Sequence, residues 1–200
     1  MILYDNQSSG NGYKVRLLLA LLGLAYTRVE MNVDNGETRA ERYLQLNPNG
    51  KIPLLDFGDG RRLAESNAII FYLAQDSHYW PEDPWARAQA LQWMFFEQYS
   101  HEPSIAVARY ILTHLPADTP RRAELPRLTE KGREALGIMD GHLAGREYFA
   151  DGGFSIADIA LYAYTHVAAE GGFDLASYRH VGAWLERCAA QPGHIPITQV

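Results

Sequence analysis

Two prolines and a glycine bracket a lysine in Asn47-Pro48-Asn49-Gly50-Lys51-Ile52-Pro53-Leu54-Leu55, and the run then turns apolar. It reads as a proline turn delivering the chain into a strand. Ile52 precedes a proline, which pushes its backbone toward extended geometry. An extended residue whose N–H and C=O face outward can pair with a peptide as an added strand. A cis Ile52–Pro53 bond would serve the same end, and the spacing does not fix the isomer. Glu65-Ser66-Asn67-Ala68-Ile69 follows, the end of one strand and the start of a helix. Ser66 reads as an N-cap, and the helix end behind it favours a carboxylate. Glu65 favours an ammonium. The free end of an amino acid carries both charges a few ångströms apart, so the two stretches together suit a small zwitterionic peptide.

The remaining chain gives these pieces an order. Residues 1–4 read as a short buried strand and 5–12 as a polar loop. Residues 13–22 carry Val15, Leu18, Leu19 and Leu22 at helical spacing, with Gly23 just past the end. Residues 27–31 alternate as a strand does, and 38–46 read as a short helix. Segments 53–57 and 62–64 flank Gly58-Asp59-Gly60, a hairpin signal, before a helix over 66–75. The order is βαβ, α, ββα, and its first unit requires a parallel crossover. Residues 78–86, holding Pro81 and Pro84, read as a linker between a domain over 1–77 and an all-helical one over 87–200. In the second, 86–115 is a long amphipathic run with a kink expected at Pro103. Further helices are expected over 120–143, 155–169 and 176–190. Ser155 and Asp158 form a capping box at the start of 155–169, and Phe154 and Ile159 fall at the positions of a hydrophobic staple. This device concerns folding rather than chemistry.

Composition narrows the function. A net charge of −6 without a basic cluster argues against nucleic acid. The single cysteine, Cys188, allows no internal disulfide and suits a reducing cytoplasm. The first residues carry neither a basic lead nor a signal-type apolar core. The longest apolar run, 17–26, is too short to span a membrane. The seven histidines show no i, i+4 pair, so no metal site is expected.

Taken in order, the 47–55 stretch, Glu65-Ser66-Asn67-Ala68-Ile69 and Phe154-Ser155-Ile156-Ala157-Asp158-Ile159-Ala160 resemble the glutathione transferase superfamily. The resemblance covers nearly the whole chain. It implies an α/β thioredoxin-like N-terminal domain followed by an all-α helical C-terminal domain, in a homodimer. It also implies glutathione as co-substrate, with Lys51, Ile52, Pro53, Glu65 and Ser66 holding the tripeptide.

The catalytic task is then to ionise a thiol whose free pKa is about 8.5. A shift of two units needs roughly 2.7 kcal/mol of differential interaction. A charge-assisted hydrogen bond of roughly 1.5–3 kcal/mol supplies much of it, and a nearby helix N-terminus adds to it. Serine-type members place the donor in the loop after the first strand, where Ser9 stands in Ser9-Gly10-Asn11-Gly12-Tyr13-Lys14-Val15. Ser8 is the rival one residue away, and the structural alternative is that both serines only cap the helix. Tyr4 is discounted because it sits inside the strand. Asn11 also fits a nu-like pattern, whose members look like glutathione-dependent disulfide reductases or peroxidases. Zeta-like members carry a Ser-Ser-Cys run, which Gly10-Asn11 does not match. Thioredoxin, glutaredoxin and the cysteine-type classes need a cysteine after the first strand, and none is there. The resemblance further places a second-substrate pocket between Ser9 and the long helix after the linker, with Tyr99, Glu102, Ile105, Arg109 and Tyr110 as walls. Three readings result: a transferase joining the thiolate to a hydrophobic electrophile, a disulfide reductase or peroxidase, and a non-catalytic interaction module on the same fold.

Overall fold

The computed structural model describes residues 1–199, which form two compact units. The first comprises Met1–Ser77 and the tail from Pro192; the second is His78–Gln191.

In the first unit, β1 (Ile2–Asp5), α1 (Gly10–Leu21) and β2 (Thr27–Glu30) form the expected parallel crossover. A 3₁₀ turn over Glu37–Arg39 and the short α2 (Glu41–Leu44) lead to β3 (Leu54–Asp56), β4 (Arg62–Ala64) and α3 (Ser66–Leu73). The sheet order is β2-β1-β3-β4, with β3 antiparallel to both its neighbours. Side-chain alternation along the strands supplies two apolar faces. Leu3 and Leu55 are buried and cross-paired in register. On another face Leu54 joins Met31 and Tyr43, with Tyr4, Ile52 and Ala64 packed against them. This is the thioredoxin-like α/β arrangement.

The second unit is helical. Its helices are α4 (Pro84–Phe96), α5 (Glu102–Thr113), α6 (Leu125–Leu143), α7 (Ile156–Thr165) and α8 (Arg179–Ala189). Every residue of α7 is buried, as expected of a core helix that is apolar all round. The kink expected at Pro103 appears as a π-helical turn over Glu97–His101 between α4 and α5. Proline at the second position of α5 lacks an N–H and crowds the carbonyl four residues back, so the preceding turn widens. The capping box forms: Ser155 N–H donates to Asp158 Oδ2 at 2.9 Å, and Ser155 Oγ accepts from Ala157 N–H at 3.3 Å. Phe154 meets Tyr79 and Tyr148 edge-on.

Two boundaries differ from the sequence expectation. The stretch read as a linker over 78–86 ends early, because Asp83 caps α4 (Oδ2 accepts from Ala86 N–H at 2.8 Å) and Pro84 occupies its first turn. Asp-Pro is a start signal here rather than a spacer. The helical unit read as 87–200 stops at Gln191, and the tail belongs to the first unit. The tail is held through its backbone carbonyls, which leave no apolar pattern to read. Among the described residues, no helix is long and apolar enough to cross a membrane.

Candidate functional site

Residues 6–9 carry the chain from β1 to α1, and Asn6 organises them. Its Oδ1 accepts from Ser8 N–H (3.1 Å) and Ser8 Oγ (2.7 Å), and its Nδ2 donates to Glu30 Oε1 and Met31 O. Its carbonyl accepts from Ser9 N–H at 2.9 Å. Here an asparagine side chain imitates the backbone of a turn. Ser9 is then the N-cap of α1, with φ −72° and ψ 119°, and its Oγ accepts from Gly12 N–H at 3.1 Å. Capping uses a lone pair of Oγ and not its proton. Ser9 therefore keeps an O–H to give, whereas Ser8 donates its own to Asn6. Gly12 has no tolerable alternative in this geometry: a Cβ there would lie 1.5 Å from Asp5 Oδ1. Asp5 is fully buried against Arg16 Nε at 2.8 Å, yet burial outweighs that charge and pushes its carboxyl up to about 6.

Asn11 reaches the second helix start. Ser66 Oγ donates to Asn11 Oδ1 at 3.1 Å and accepts from Lys14 Nζ at 3.4 Å. The N-terminal ends of α1 and α3 are thus tied side by side. Lys14 is fully buried and Ser66 nearly so. Ser66 is not the N-cap that the sequence suggests. Glu65 holds that position without a side-chain cap bond, and Ser66 is the first helical residue. The reason is the short connection: β4 ends at Ala64, so Glu65 alone turns the chain and takes φ 67°, ψ 112°. Among the described residues it is the one non-glycine at positive φ, strain of about 1–3 kcal/mol that concentrates at functional positions. Glu65 is exposed, and Ser66 N–H lies in the first turn, where helices leave N–H groups without intrahelical partners.

The 47–53 stretch ends in a cis Ile52–Pro53 bond. Its Lys51 carbonyl accepts from Tyr43 Oη at 2.8 Å and Asn47 Nδ2 at 2.7 Å. Burial pushes the Tyr43 hydroxyl up to about 12, so it remains a donor at neutral pH. Pro53 is buried, Ile52 half-buried and Lys51 exposed.

Comparison with known proteins agrees with this architecture. The N-terminal domain model of glutathione S-transferases matches residues 1–75, and the C-terminal domain model matches 99–192. A crystal structure of glutathione S-transferase from Pseudomonas fluorescens superposes with a TM-score of 0.95 at 48% identity, covering 99% of this chain and 98% of that one. The chain belongs to the glutathione S-transferase family. Two further proteins are similar to it. A glutathione transferase from Pseudomonas putida, solved with one glutathione disulfide bound per subunit, is 28% identical with a TM-score of 0.84, over 96% of this chain and 87% of that one. The disulfide-bond oxidoreductase YfcG of Escherichia coli is 27% identical over 91% of this chain and 87% of its own length. The chain spans about half the length of the yeast URE2 proteins that it also matches, such as that of Candida maltosa, at 29% identity over 72% of this chain and 46% of that protein.

Ser9, Asn11, Lys51, Ile52, Pro53, Glu65 and Ser66 all fall in the first unit of this chain. The five residues named as pocket walls fall in the second and do not act alike. Tyr99 is 88% exposed in the π-helical turn, and Glu102 opens α5 half-buried. Tyr110 stacks on His114. Ile105 is fully buried and Arg109 is nearly so, pairing with Glu170 at 2.6 Å. Both lie on the buried side of α5. Sequence reasoning passed over Lys14 and Arg16, both fully buried charges on α1. The signal available was a cation on each side of Val15 in an otherwise apolar helix. Cys188 is buried, and desolvation pushes its thiol well above the usual range. Among the described residues, no group of three or more His, Cys, Asp or Glu could hold a metal ion.

Proposed function

We propose that this chain binds glutathione in its first unit and ionises the thiol through Ser9, with Asn11 assisting. One observation carries the reading: Ser9 caps α1 as an acceptor and retains its proton, while the proton of Ser8 is committed to Asn6. Ile52 would pair with the tripeptide backbone beside Pro53. Ser66 and the N-terminal end of α3 would take its α-carboxylate, Glu65 its ammonium, and Lys51 its glycine carboxylate. The thiol proton leaves to solvent. The thiolate then attacks an electrophilic carbon of a hydrophobic substrate, forming the S–C bond as a leaving group departs or a double bond is saturated.

A second reading has specific support. The Escherichia coli relative is a disulfide-bond oxidoreductase, and the Pseudomonas putida relative holds a glutathione disulfide. With Cys188 buried and held in its thiol form, a disulfide reaction here would run between tripeptides: the thiolate attacks a disulfide sulfur and the other half departs as thiolate; with a peroxide the thiolate attacks an oxygen, alkoxide departs, and a second glutathione thiol converts the resulting sulfenic acid to glutathione disulfide and water. The Saccharomyces cerevisiae relative, a transcriptional regulator by name, keeps a regulatory role in view, and turnover with bound glutathione, rather than binding alone, separates that role from the enzymatic ones.

Glu65→Gln tests the tripeptide site. Losing a charge-assisted contact of roughly 1.5–3 kcal/mol should weaken glutathione binding by about ten- to a hundredfold, with a smaller effect on kcat. Unchanged affinity by calorimetry would remove Glu65 from the site.

Assembly as a homodimer is also proposed. Trp85, Phe95 and Tyr99 are exposed at 68%, 69% and 88% along α4 and the turn after it, an apolar face that a closed two-fold pair would cover. Sedimentation at micromolar concentration should give about twice the chain mass of 22.5 kDa; a clean monomer would count against this.

A further inference from the structure

Arg16 is fully buried, and the proposed thiol chemistry gives it no direct part. Its Nε donates to Asp5 Oδ2 at 2.8 Å and its Nη2 to Gln7 O at 2.8 Å. Its Nη1 donates to Ile197 O at 2.8 Å and Gln199 O at 2.9 Å. Asp5 closes β1, Gln7 lies two residues ahead of Ser9, and Ile197 and Gln199 belong to the returning tail. Other bonds run between the same pieces. Gln7 Nε2 donates to Thr198 O at 2.7 Å, and Tyr13 Oη donates to Ile195 O at 2.7 Å and lies 3.2 Å from His194 Nε2. A buried guanidinium is tolerated only when its donors are matched. The tail supplies two of these four acceptors, so the tail, the loop and Arg16 stand or fall together. The planar fork of arginine also fixes the directions in which they lie.

We propose that the tail over residues 194–199 is a working part of the thiol site: through Arg16 and Gln7 it fixes the loop that aims Ser9, which makes Arg16 a positioning residue. The inference rests on reading Ser9 as the thiol's donor. The cap bond to Gly12 anchors Ser9 Oγ from the helix side alone. Its approach from the other side depends on where residues 6–8 lie. Asn6 ties the inner edge of that loop to Glu30 and Met31. Gln7, exposed on the outer edge, is held by Glu30, Arg16 and Thr198. Hydrogen bonds weaken steeply with angle. A small shift of this loop therefore weakens a bond from Ser9 to sulfur while leaving the ends of the tripeptide in place.

Arg16→Lys in the full chain tests this. Lysine keeps a cation beside Asp5 but offers one ammonium in place of a fork spanning three carbonyls. The thiol pKa of bound glutathione, read by thiolate absorbance against pH, should rise by about half a unit to one unit, roughly a three- to tenfold loss of thiolate below the pKa. Affinity for glutathione should change less than about threefold, and unfolding should stay cooperative. Gln7→Ala should shift the thiol the same way by less. In a Ser9→Ala background, Arg16→Lys should add nothing, since it acts through Ser9. An unchanged thiol in Arg16→Lys overturns the inference, as does an additive shift in the double variant. If Arg16→Lys does not fold, Gln7→Ala decides on the same terms. Ser9→Ala alone separates the two claims. An unshifted thiol there sinks both the reading of the site and this inference. A shifted one beside an unchanged Arg16→Lys sinks the inference only.

Discussion

Asp158→Ala is expected to destabilise the helical unit by about 3–5 kcal/mol, because it strips the acceptor from several buried donors at once. Asp158 is fully buried and accepts four hydrogen bonds: from Ser155 N–H at 2.9 Å, Ser155 Oγ at 3.1 Å, Phe149 N–H at 3.1 Å and Trp184 Nε1 at 2.9 Å. These donors come from the start of α7, the segment before it and α8. One carboxylate thus fixes three pieces of chain around the core helix. Burial pushes its carboxyl up to about 6, against the pull of the Trp184, Ser155 and Phe149 donors. Alanine would leave every donor buried without its acceptor, each at a penalty of about 1–3 kcal/mol before relaxation. Thermal unfolding should shift down on the order of 10 °C for a chain of this size. Asp158→Asn keeps an acceptor oxygen and should lose about half as much by the same reckoning. Denaturant titration of the three proteins measures this directly. A loss below about 1 kcal/mol for the alanine variant would mean that the network does not hold the unit together.

That capping box was legible in the chain because its logic is local: a serine, an acid three residues on, and an apolar run. The βαβ and hairpin order was legible for the same reason, since each element carries its own period and its own turn residues. The further bonds of Asp158 to Phe149 and Trp184 were not legible, because Phe149 donates through its backbone and Trp184 lies 26 residues away. The same holds for the tail. Its carbonyls bond Arg16 and Tyr13, and a backbone acceptor has no sequence signature. At the candidate site, the loop between strand and helix offers both Ser8 and Ser9, and the structure adds the direction of each serine's hydrogen bond. Ser66 was read as a cap from residue type alone. The structure gives that position to Glu65, because a one-residue connection from β4 to α3 leaves no room for the usual geometry. Lys14 and Arg16 were passed over, and the fold places both inside.

Ser9→Ala should have the largest effect on chemistry. Alanine removes the proposed donor to sulfur and also the cap acceptor of Gly12 N–H, so two consequences have to be kept apart. Loss of the cap costs about 1 kcal/mol of stability and is read from unfolding. Loss of the donor is read from the thiol. Glutathione binding should stay largely intact, because the proposed site assigns the ends of the tripeptide to other groups. The thiol pKa of the bound tripeptide should rise by about one to two units, which corresponds to roughly 1.4–2.7 kcal/mol. Turnover near neutral pH should fall by about ten- to a hundredfold and recover in part as pH rises, since the thiolate is then formed by solvent base.

The decisive measurement is a thiolate titration of glutathione bound to the native protein, to Ser9→Ala and to Ser8→Ala. The expected result is a depressed thiol pKa in the native protein and in Ser8→Ala, and a return toward about 8.5 in Ser9→Ala. A shift in Ser8→Ala with none in Ser9→Ala would assign the donor to the wrong serine. No shift in either would leave Asn11 or the backbone N–H groups of α1 as the activating groups and contradict a serine-dependent site.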